Sequence, residues 1–377
     1  MVRNTMRVGI NAFFLERPET GSGQYTHHLL KALAKADPTN EYVLINPTSK
    51  IRNPQFVESV VEPSALRNLW KLWFEQMSFP LACRHLDLAH VPYFAPPLFP
   101  TVPTVVTIHD LIPLILPAYR GSLLVRLYTQ LVAVASRRAK AIITVSQASQ
   151  RDIVHHLHVP PERVYVTYEA AGEAFQPVED ETQLAAIRQK YGLPERYLLY
   201  LGGFDQRKNV PVLLKAFALL ARRQPQVRLV IAGQVPARDS PLFPDPRCLT
   251  GKLGLDDKVV FTGWVPEEDK PALLSGATAF VFPSLYEGFG LPAIEALACG
   301  TPVIASNRTS LPEVVGDGGI LVEPTDAEAL AEAMELLLVD EALRGEWRQK
   351  ALVQAARFSW EQTAQDTLAV YRKVVGC

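Results

Sequence analysis

The chain has 377 residues, more than one ordinary hydrophobic core accommodates, and 48% of them are apolar, enough to fill two. Its 38 lysines and arginines balance 39 aspartates and glutamates, which excludes the basic excess of a nucleic-acid-binding protein. No run reaches the roughly 18 apolar residues of a membrane-spanning helix. The four cysteines (Cys83, Cys248, Cys299, Cys377) are scattered without a CxxC pair, which speaks against a zinc site or a disulfide framework. Cysteine usage and the absence of a signal-peptide-like run near the N-terminus lead to an expected cytoplasmic location.

From the N-terminus, short apolar runs alternate with helical patterns, the mark of parallel α/β units. MRVGIN (6–11) reads as a strand, and GSGQYTHHLLKALAKA (21–36) as a glycine loop entering a helix. EYVLIN, LDLAH, TVVTIHD and AKAIITVS supply further strands, with Ser146 placed to cap the next helix. The segment RGSLLVRLYTQLVAVASRRAK (120–140) holds five cations and no acid. Its stripe of Leu123, Leu127, Leu131 and Val134 reads mostly as core packing; contact with an anionic membrane or a lipid diphosphate is the alternative. HHLH (155–158) reads as a surface helix rather than a metal site, because no further ligand follows at a known spacing.

A stretch of small, acidic and proline residues over 168–182 reads as a hinge. A second series then opens near Arg196: the strand RYLLYLGG, the loop FDQRKN, and the helix VPVLLKAFALLARR with Asn209 as its N-cap. VRLVIAG, KVVFTG, ATAFVFPS, TPVIAS and GGILVEP follow as strands. Ser359 and Gln362 have capping-box spacing, and Trp360, Ala364, Leu368, Tyr371 and Val375 fall on one face of a terminal helix. The expected fold is α/β: two doubly wound Rossmann-like domains facing each other across a cleft. The first comprises 1–172 with the returning helix 359–377, the second 173–358.

The chemistry concentrates in FPSLYEGFGLPAIEALACGTPVIAS (282–306). Pro292 suits the start of a helix and Gly300 the left-handed position past its end. Gly288-Phe289-Gly290 therefore feeds a helix N-terminus, a ready anion site. Arg207 and Lys208, before another helix, are unfavourable there without an anionic partner. Together these groups suit a diphosphate. Glu287 and Glu295 flank it, and a carboxylate accepts hydroxyl protons, so acids on either side suit the sugars on either side of a diphosphate. Glu295 is expected in the first helical turn, where the helix dipole alone would also favour an acid. His109 ends a strand and points from the carboxyl edge of the sheet; pairing with Asp110 to order a loop is the plainer reading. Gly21-Ser22-Gly23 lacks the third glycine of a dinucleotide fingerprint and reads equally as an ordinary strand-to-helix turn.

EGFGLPAIE resembles the E-x7-E motif of the retaining glycosyltransferases of family 4, which have the GT-B fold. LGGFDQRKN resembles that family's basic loop, and GSGQYT, TIHDLIP, ITVSQASQRDI and FTGWVP match in order, so the likeness covers nearly the whole chain. It is nearest to bacterial mannosyltransferases of O-antigen and capsule assembly. The resemblance implies that Glu287 contacts hydroxyls of the transferred sugar and Glu295 the ribose. Arg207 and Lys208 would hold the diphosphate, and Gly288, Phe289, Gly290 and Leu291 would touch phosphate and sugar through the backbone. Trp264 and Val265 would border the base, and His109 would sit against the donor sugar. Gly21 and Gly23 would let the backbone approach the reacting centre. Gly203 stands in the donor loop where many relatives have arginine, which leaves the cation geometry open. No cofactor or metal is expected. The co-substrate is a nucleotide-diphosphate sugar, GDP-mannose favoured and a UDP-sugar the alternative. The expected acceptor is a saccharide or a polyprenyl-diphosphate-linked saccharide, and no nucleic acid is involved. A peripheral contact at the inner face of the cell membrane is left open. A GT-B sugar-nucleotide 2-epimerase and a non-catalytic nucleotide-sugar-binding subunit are the competing readings. A dinucleotide oxidoreductase lacks both its GxGxxG and its ribose-binding acid.

Overall fold

Arg7–Asn11 shows no alternation of polar and apolar residues because both of its faces are covered: four of its five residues are buried. Parallel strands need crossover connections, usually helices, and the chain supplies them between its strands. The computed structural model describes residues 5–17, 20–46, 57–60 and 67–376. Its first sheet takes β1 (Arg7–Asn11), β2 (Glu41–Asn46), β3 (Val57–Val60), β4 (Leu88–Val91), β5 (Thr104–Ile108), β6 (Ala141–Thr144) and β7 (Val164–Val166) in the order β3-β2-β1-β4-β5-β6-β7. The second takes β8 (Leu198–Leu201), β9 (Leu229–Ala232), β10 (Val259–Gly263), β11 (Ala279–Phe282), β12 (Val303–Ser306) and β13 (Gly319–Val322) in the order β10-β9-β8-β11-β12-β13. Every pairing is parallel. Both are Rossmann-like sheets whose order reverses beside the first strand, at β1/β4 and at β8/β11. Loops leaving the carboxyl ends of such strands part in opposite directions and open a crevice.

The chain divides into two units, Met1–Glu169 with Ser359–Cys377, and Ala170–Phe358. The terminal helix Trp360–Val375 belongs to the first unit and packs on the helix Gly21–Ala36. Trp360, Ala364, Leu368 and Tyr371 are buried beneath it. Ser359 accepts from the Gln362 amide, but the Gln362 side chain turns to Asp366, so only half of the capping box forms. A buried chain of polar groups pins the helix to the sheet. The Tyr371 hydroxyl lies 2.5 Å from His90 Nδ1, His90 Nε2 lies 2.8 Å from the Thr107 hydroxyl, and Thr107 lies 3.3 Å from the Tyr25 hydroxyl. Burial pushes the His90 pKa down to about 3, so the ring is neutral and one nitrogen must accept.

Three sequence expectations give way here. Asn209 does not cap the following helix with its side chain. It takes a left-handed conformation (φ 58°), and its amide donates instead to the carbonyls of Pro283 and Pro324. Glu295 lies in the second turn of the helix Leu291–Ala298, not the first, because the helix already opens at Leu291, one residue before Pro292. The stripe on the helix Leu123–Ser136 is not core packing: Leu123 is 71% exposed and Leu127 59%. That helix buries a different face, through Thr129, Val132, Ala133 and Ala135. β3 and β7 were not anticipated; they have four and three residues, too few for a pattern to stand out. Ser146 caps its helix as expected. Cys83 and Cys299 are buried and Cys248 is exposed; Cys377 lies outside the described residues.

Candidate active site

The reversal between β8 and β11 brings two loops side by side. One leaves β8 and tightens into a 3-10 turn at Gln206–Lys208; the other leaves β11 and carries Ser284 to Gly290. Backbone bonds stitch them together: the Leu285 amide donates to the Arg207 carbonyl at 2.7 Å. Asn209, clasping Pro283, fixes the same junction from below.

Glu287 sits at the centre and is buried. Lys208 Nζ lies 2.7 Å from Glu287 Oε1, and Arg207 Nη1 lies 2.9 Å from Oε2 and 3.0 Å from the Tyr286 carbonyl. Arg207 Nε also lies 3.0 Å from Asp205 Oδ1. The Ser284 hydroxyl is 2.5 Å from Glu287 Oε1. Burial alone would raise the Glu287 pKa, but Lys208 and Arg207 outweigh it and hold the carboxyl below its usual range. Burial leaves the Lys208 ammonium below its usual pKa despite Glu287. The cations thus face two carboxylates, and the cluster is near charge balance. The charged donors and the N-terminal end of the helix Leu291–Ala298 lie on the same loops, the chemistry of an anion site.

The loop over this cluster is held from β12. The Thr309 hydroxyl accepts from the Glu287 amide at 3.0 Å. The Ser310 hydroxyl contacts the carbonyls of Glu287 and Phe289 at 3.1 and 2.7 Å. Thr309 has φ 52°, an unfavourable conformation for a β-branched residue. Gly290 is left-handed (φ 109°), and a Cβ there would meet Leu311 Cδ2 at 2.8 Å, so no other residue turns this corner without strain. Leu291 and Pro292 then open the helix.

Glu295, on that helix, is buried, and its carboxylate makes no hydrogen bond among the described residues. Burial raises its pKa to about 8; Lys270 moderates the rise and Glu267 adds to it. Trp264 is 63% exposed after β10, while Val265 is buried. Gly203 adopts an ordinary backbone conformation with room for a side chain, so space does not dictate glycine at this position.

In the first unit, His109 follows β5 and is engaged at both ring nitrogens. Nδ1 lies 3.1 Å from Glu169 and Nε2 3.2 Å from the Pro92 carbonyl. Burial would lower its pKa, but Glu169, the Pro92 carbonyl and Asp110 more than compensate, and the pKa is raised. An imidazolium donating on both sides satisfies both partners. Asp110 orders the loop through its Oδ1, which accepts the Ile112 amide at 3.0 Å. Gly23 is required by space: a Cβ would stand 2.0 Å from the Arg17 carbonyl oxygen. At Gly21 nothing lies within 4 Å of that position.

Beside His109 the first unit carries an open cleft of about 270 Å³, lined by Phe14, Ser22, Lys71, Tyr93, Phe94 and Tyr128 among others. The Lys71 ammonium stands 5.5–5.8 Å from the ring centres of Phe13, Phe14, Tyr93 and Tyr128. The Tyr128 hydroxyl donates to Glu75 Oε2 at 2.7 Å, and burial raises the pKa of that acid. Apart from Ser22, within the Gly21-Ser22-Gly23 turn, none of these residues stood out in the sequence. They come from four separate segments, and Glu75 is set in a π-helical turn, Phe74–Ser78.

The sheet order and the acid–cation loops define the class. Residues 20–170 match the family described as Glycosyltransferase Family 4, and residues 185–354 match Glycosyl transferases group 1. The chain belongs to the family-4 glycosyltransferases and is a hexosyltransferase. O-antigen chain mannosyltransferase B of Escherichia coli is 32% identical over 95% of this chain and 97% of its own length. The serotype-specific mannosyltransferase WbdA of Escherichia coli is 35% identical over 69% of this chain, which spans about a third (32%) of that longer protein. Among solved structures, Anabaena Alr3699/HepE in complex with UDP and glucose superposes with a TM-score of 0.75 at 18% identity, covering 97% of this chain and 98% of its own. WaaG, a glycosyltransferase involved in lipopolysaccharide biosynthesis, gives 0.71 at 19% identity over 99% and 100%. These two show the fold.

Proposed function

We propose that the chain moves mannose from GDP-mannose, with retention at the anomeric carbon, to a saccharide carried on a lipid diphosphate at the inner face of the cell membrane. The observation that carries this reading is Glu287, buried and gripped by Lys208 and Arg207 under the loop 288–290. Mannose and a polysaccharide acceptor are supported by the two matched mannosyltransferases; retention rests on the resemblance of EGFGLPAIE.

In this reading the bond between the anomeric carbon and the diphosphate oxygen breaks, and negative charge grows on the leaving phosphate. Arg207, Lys208 and the amides of Gly288 to Leu291 receive that charge. Glu287 accepts hydroxyl protons of the sugar, and Glu295 those of the ribose. The acceptor hydroxyl attacks on the same face, and its proton passes to a leaving-phosphate oxygen. The aromatic cleft beside His109 takes the acceptor's sugar rings against its ring faces. Trp264 borders the base.

Thermal shifts with GDP, UDP and ADP and their sugars test the donor. GDP and GDP-mannose are expected to raise the melting temperature most, as ligands of the folded state alone do. A preference for UDP-sugars would overturn the choice of donor. Transfer of radiolabelled mannose with inverted product stereochemistry would overturn retention.

A further inference from the structure

His109 lines the open cleft and meets an acceptor at each ring nitrogen, the Glu169 carboxylate at Nδ1 and the Pro92 carbonyl at Nε2. A neutral imidazole has one N–H and would set a lone pair against one of these two oxygens. The pair of acceptors therefore suits the doubly protonated ring. The ring's plane is set as well. Tyr25 stands edge-on to it, with centroids 4.7 Å apart at 82°. The Ser149 hydroxyl, on the helix Gln147–Leu157, donates to the His109 carbonyl at 2.9 Å.

Glu169 serves this ring alone. It follows β7 and is 3% exposed, and its carboxylate has no hydrogen-bond or ion-pair partner besides His109 among the described residues. The backbone leading to it is pinned. The Thr167 amide donates to the Thr144 carbonyl at 2.8 Å, and the Thr363 hydroxyl to the Tyr168 carbonyl at 2.5 Å. An apolar pair would tie the same two segments together without the solvation cost of a buried charge. The charge calls for another reason. Other titratable groups around the ring leave that part to Glu169. Asp110, next in the chain, favours the charged ring to a smaller degree. His90, on β4, is neutral, and the Tyr25 hydroxyl faces Thr107. Lys71, Tyr93 and Tyr128 share the cleft, where Lys71 and Tyr128 are drawn to Glu75.

We infer that Glu169 is a positioning residue of the transfer reaction: it fixes the Nδ1–H of His109 and so aims the Nε2–H, which the Pro92 carbonyl accepts, at a hydroxyl of the donor sugar. The sugar oxygen replaces the carbonyl as acceptor, and the proton stays on the ring. A charged donor makes the stronger hydrogen bond. This role rests on the reading in which His109 meets the donor sugar. Because the His109 pKa is raised, the charged ring persists to higher pH and is lost as pH climbs through that value.

Glu169→Gln isolates the charge, since its side-chain oxygen can still accept from Nδ1–H. The alkaline limb of kcat/KM for GDP-mannose should move down by about one pH unit or more, and transfer on that limb should fall about tenfold. Glu169→Asp keeps the charge and should hold the limb near its wild-type position. The ring is also read without donor or acceptor, by NMR titration of the His109 Cε1–H, assigned with His109→Gln. Its midpoint in the wild type should coincide with the alkaline limb, and in Glu169→Gln it should fall with it. An unmoved midpoint in Glu169→Gln would make the pair a structural tie and overturn the inference. A lowered midpoint with an unmoved limb would overturn it too, and so would a wild-type midpoint more than about one unit from the wild-type limb, a comparison that needs no variant to fold. Wild-type transfer by His109→Gln would instead remove the contact between His109 and the sugar, and the role of Glu169 with it.

Discussion

Lys208 Nζ stands 2.7 Å from Glu287 Oε1 across 79 residues of sequence, and both side chains are buried. The pair is therefore a joint between two loops as well as part of the site. Removing one member of a buried pair leaves an uncompensated charge, typically at a cost of about 3–5 kcal/mol.

Lys208→Met is expected to lower both stability and transfer. Adding Glu287→Gln should restore much of the stability without restoring transfer, which should stay down about a hundredfold or more. Denaturant melts and transfer rates on both single variants and the double variant check this. Recovery of transfer in the double variant would reduce the pair to a structural joint.

Glu295 has a pKa of about 8 in the folded protein, well above that of a solvated carboxyl. The folded state therefore binds the extra proton over a window where the unfolded chain does not. Its contribution to stability is complete at acidic pH and is lost as pH rises toward 8. Glu295→Gln should flatten that decline. If ribose hydroxyls donate to the ionised acid, nucleotide affinity should rise from pH 6 to pH 8.5, and more in the wild type than in Glu295→Gln. Calorimetry with GDP on both proteins cancels the diphosphate's own ionisation; parallel curves would refute the contact.

Gly21 and Gly23 should separate cleanly. Gly23→Ala drives a methyl into the Arg17 carbonyl and should destabilise the first unit by about 1–3 kcal/mol. Gly21→Ala meets no atom and should leave the melting temperature nearly unchanged. Slowed transfer in Gly21→Ala would then report a clash with substrate; wild-type transfer would remove Gly21 from the site.

Tyr128→Phe removes the hydroxyl that Glu75 accepts and keeps the ring. Phe94→Ala opens the cleft wall. If the cleft holds the acceptor's sugars, Phe94→Ala should raise KM for the acceptor about tenfold and leave donor binding alone, with Tyr128→Phe milder. Equal changes in both substrates would place the effect elsewhere.

The strands that position the site were legible because each is a short apolar run ending in a glycine, proline or polar loop, and the acid–cation set was legible because its members sit at those ends. What the sequence hid was geometry of longer range. That Lys208 and Arg207 meet Glu287 directly depends on β8 and β11 being neighbours, which no local pattern encodes. Asn209 looked like a cap because its type and place fit one; its amide instead answers two carbonyls, one of them Pro324, over a hundred residues away. Glu295 was misplaced by a turn because the helix opens at Leu291, one residue ahead of the proline that marked its start. The Leu123–Ser136 helix shows a limit of periodicity: a regular apolar stripe tells that a face is shared, not whether protein covers it.

The first unit is closed by a helix that follows the second unit in sequence: Tyr371 reaches His90, and Thr363 bonds the Tyr168 carbonyl. A ribosome making this protein thus finishes all of Ala170–Phe358 before the first unit receives its final helix. The nascent first half must wait with the Tyr25–Leu33 flank of its glycine-loop helix uncovered, and a chain lacking Trp360–Val375 would keep it so for good.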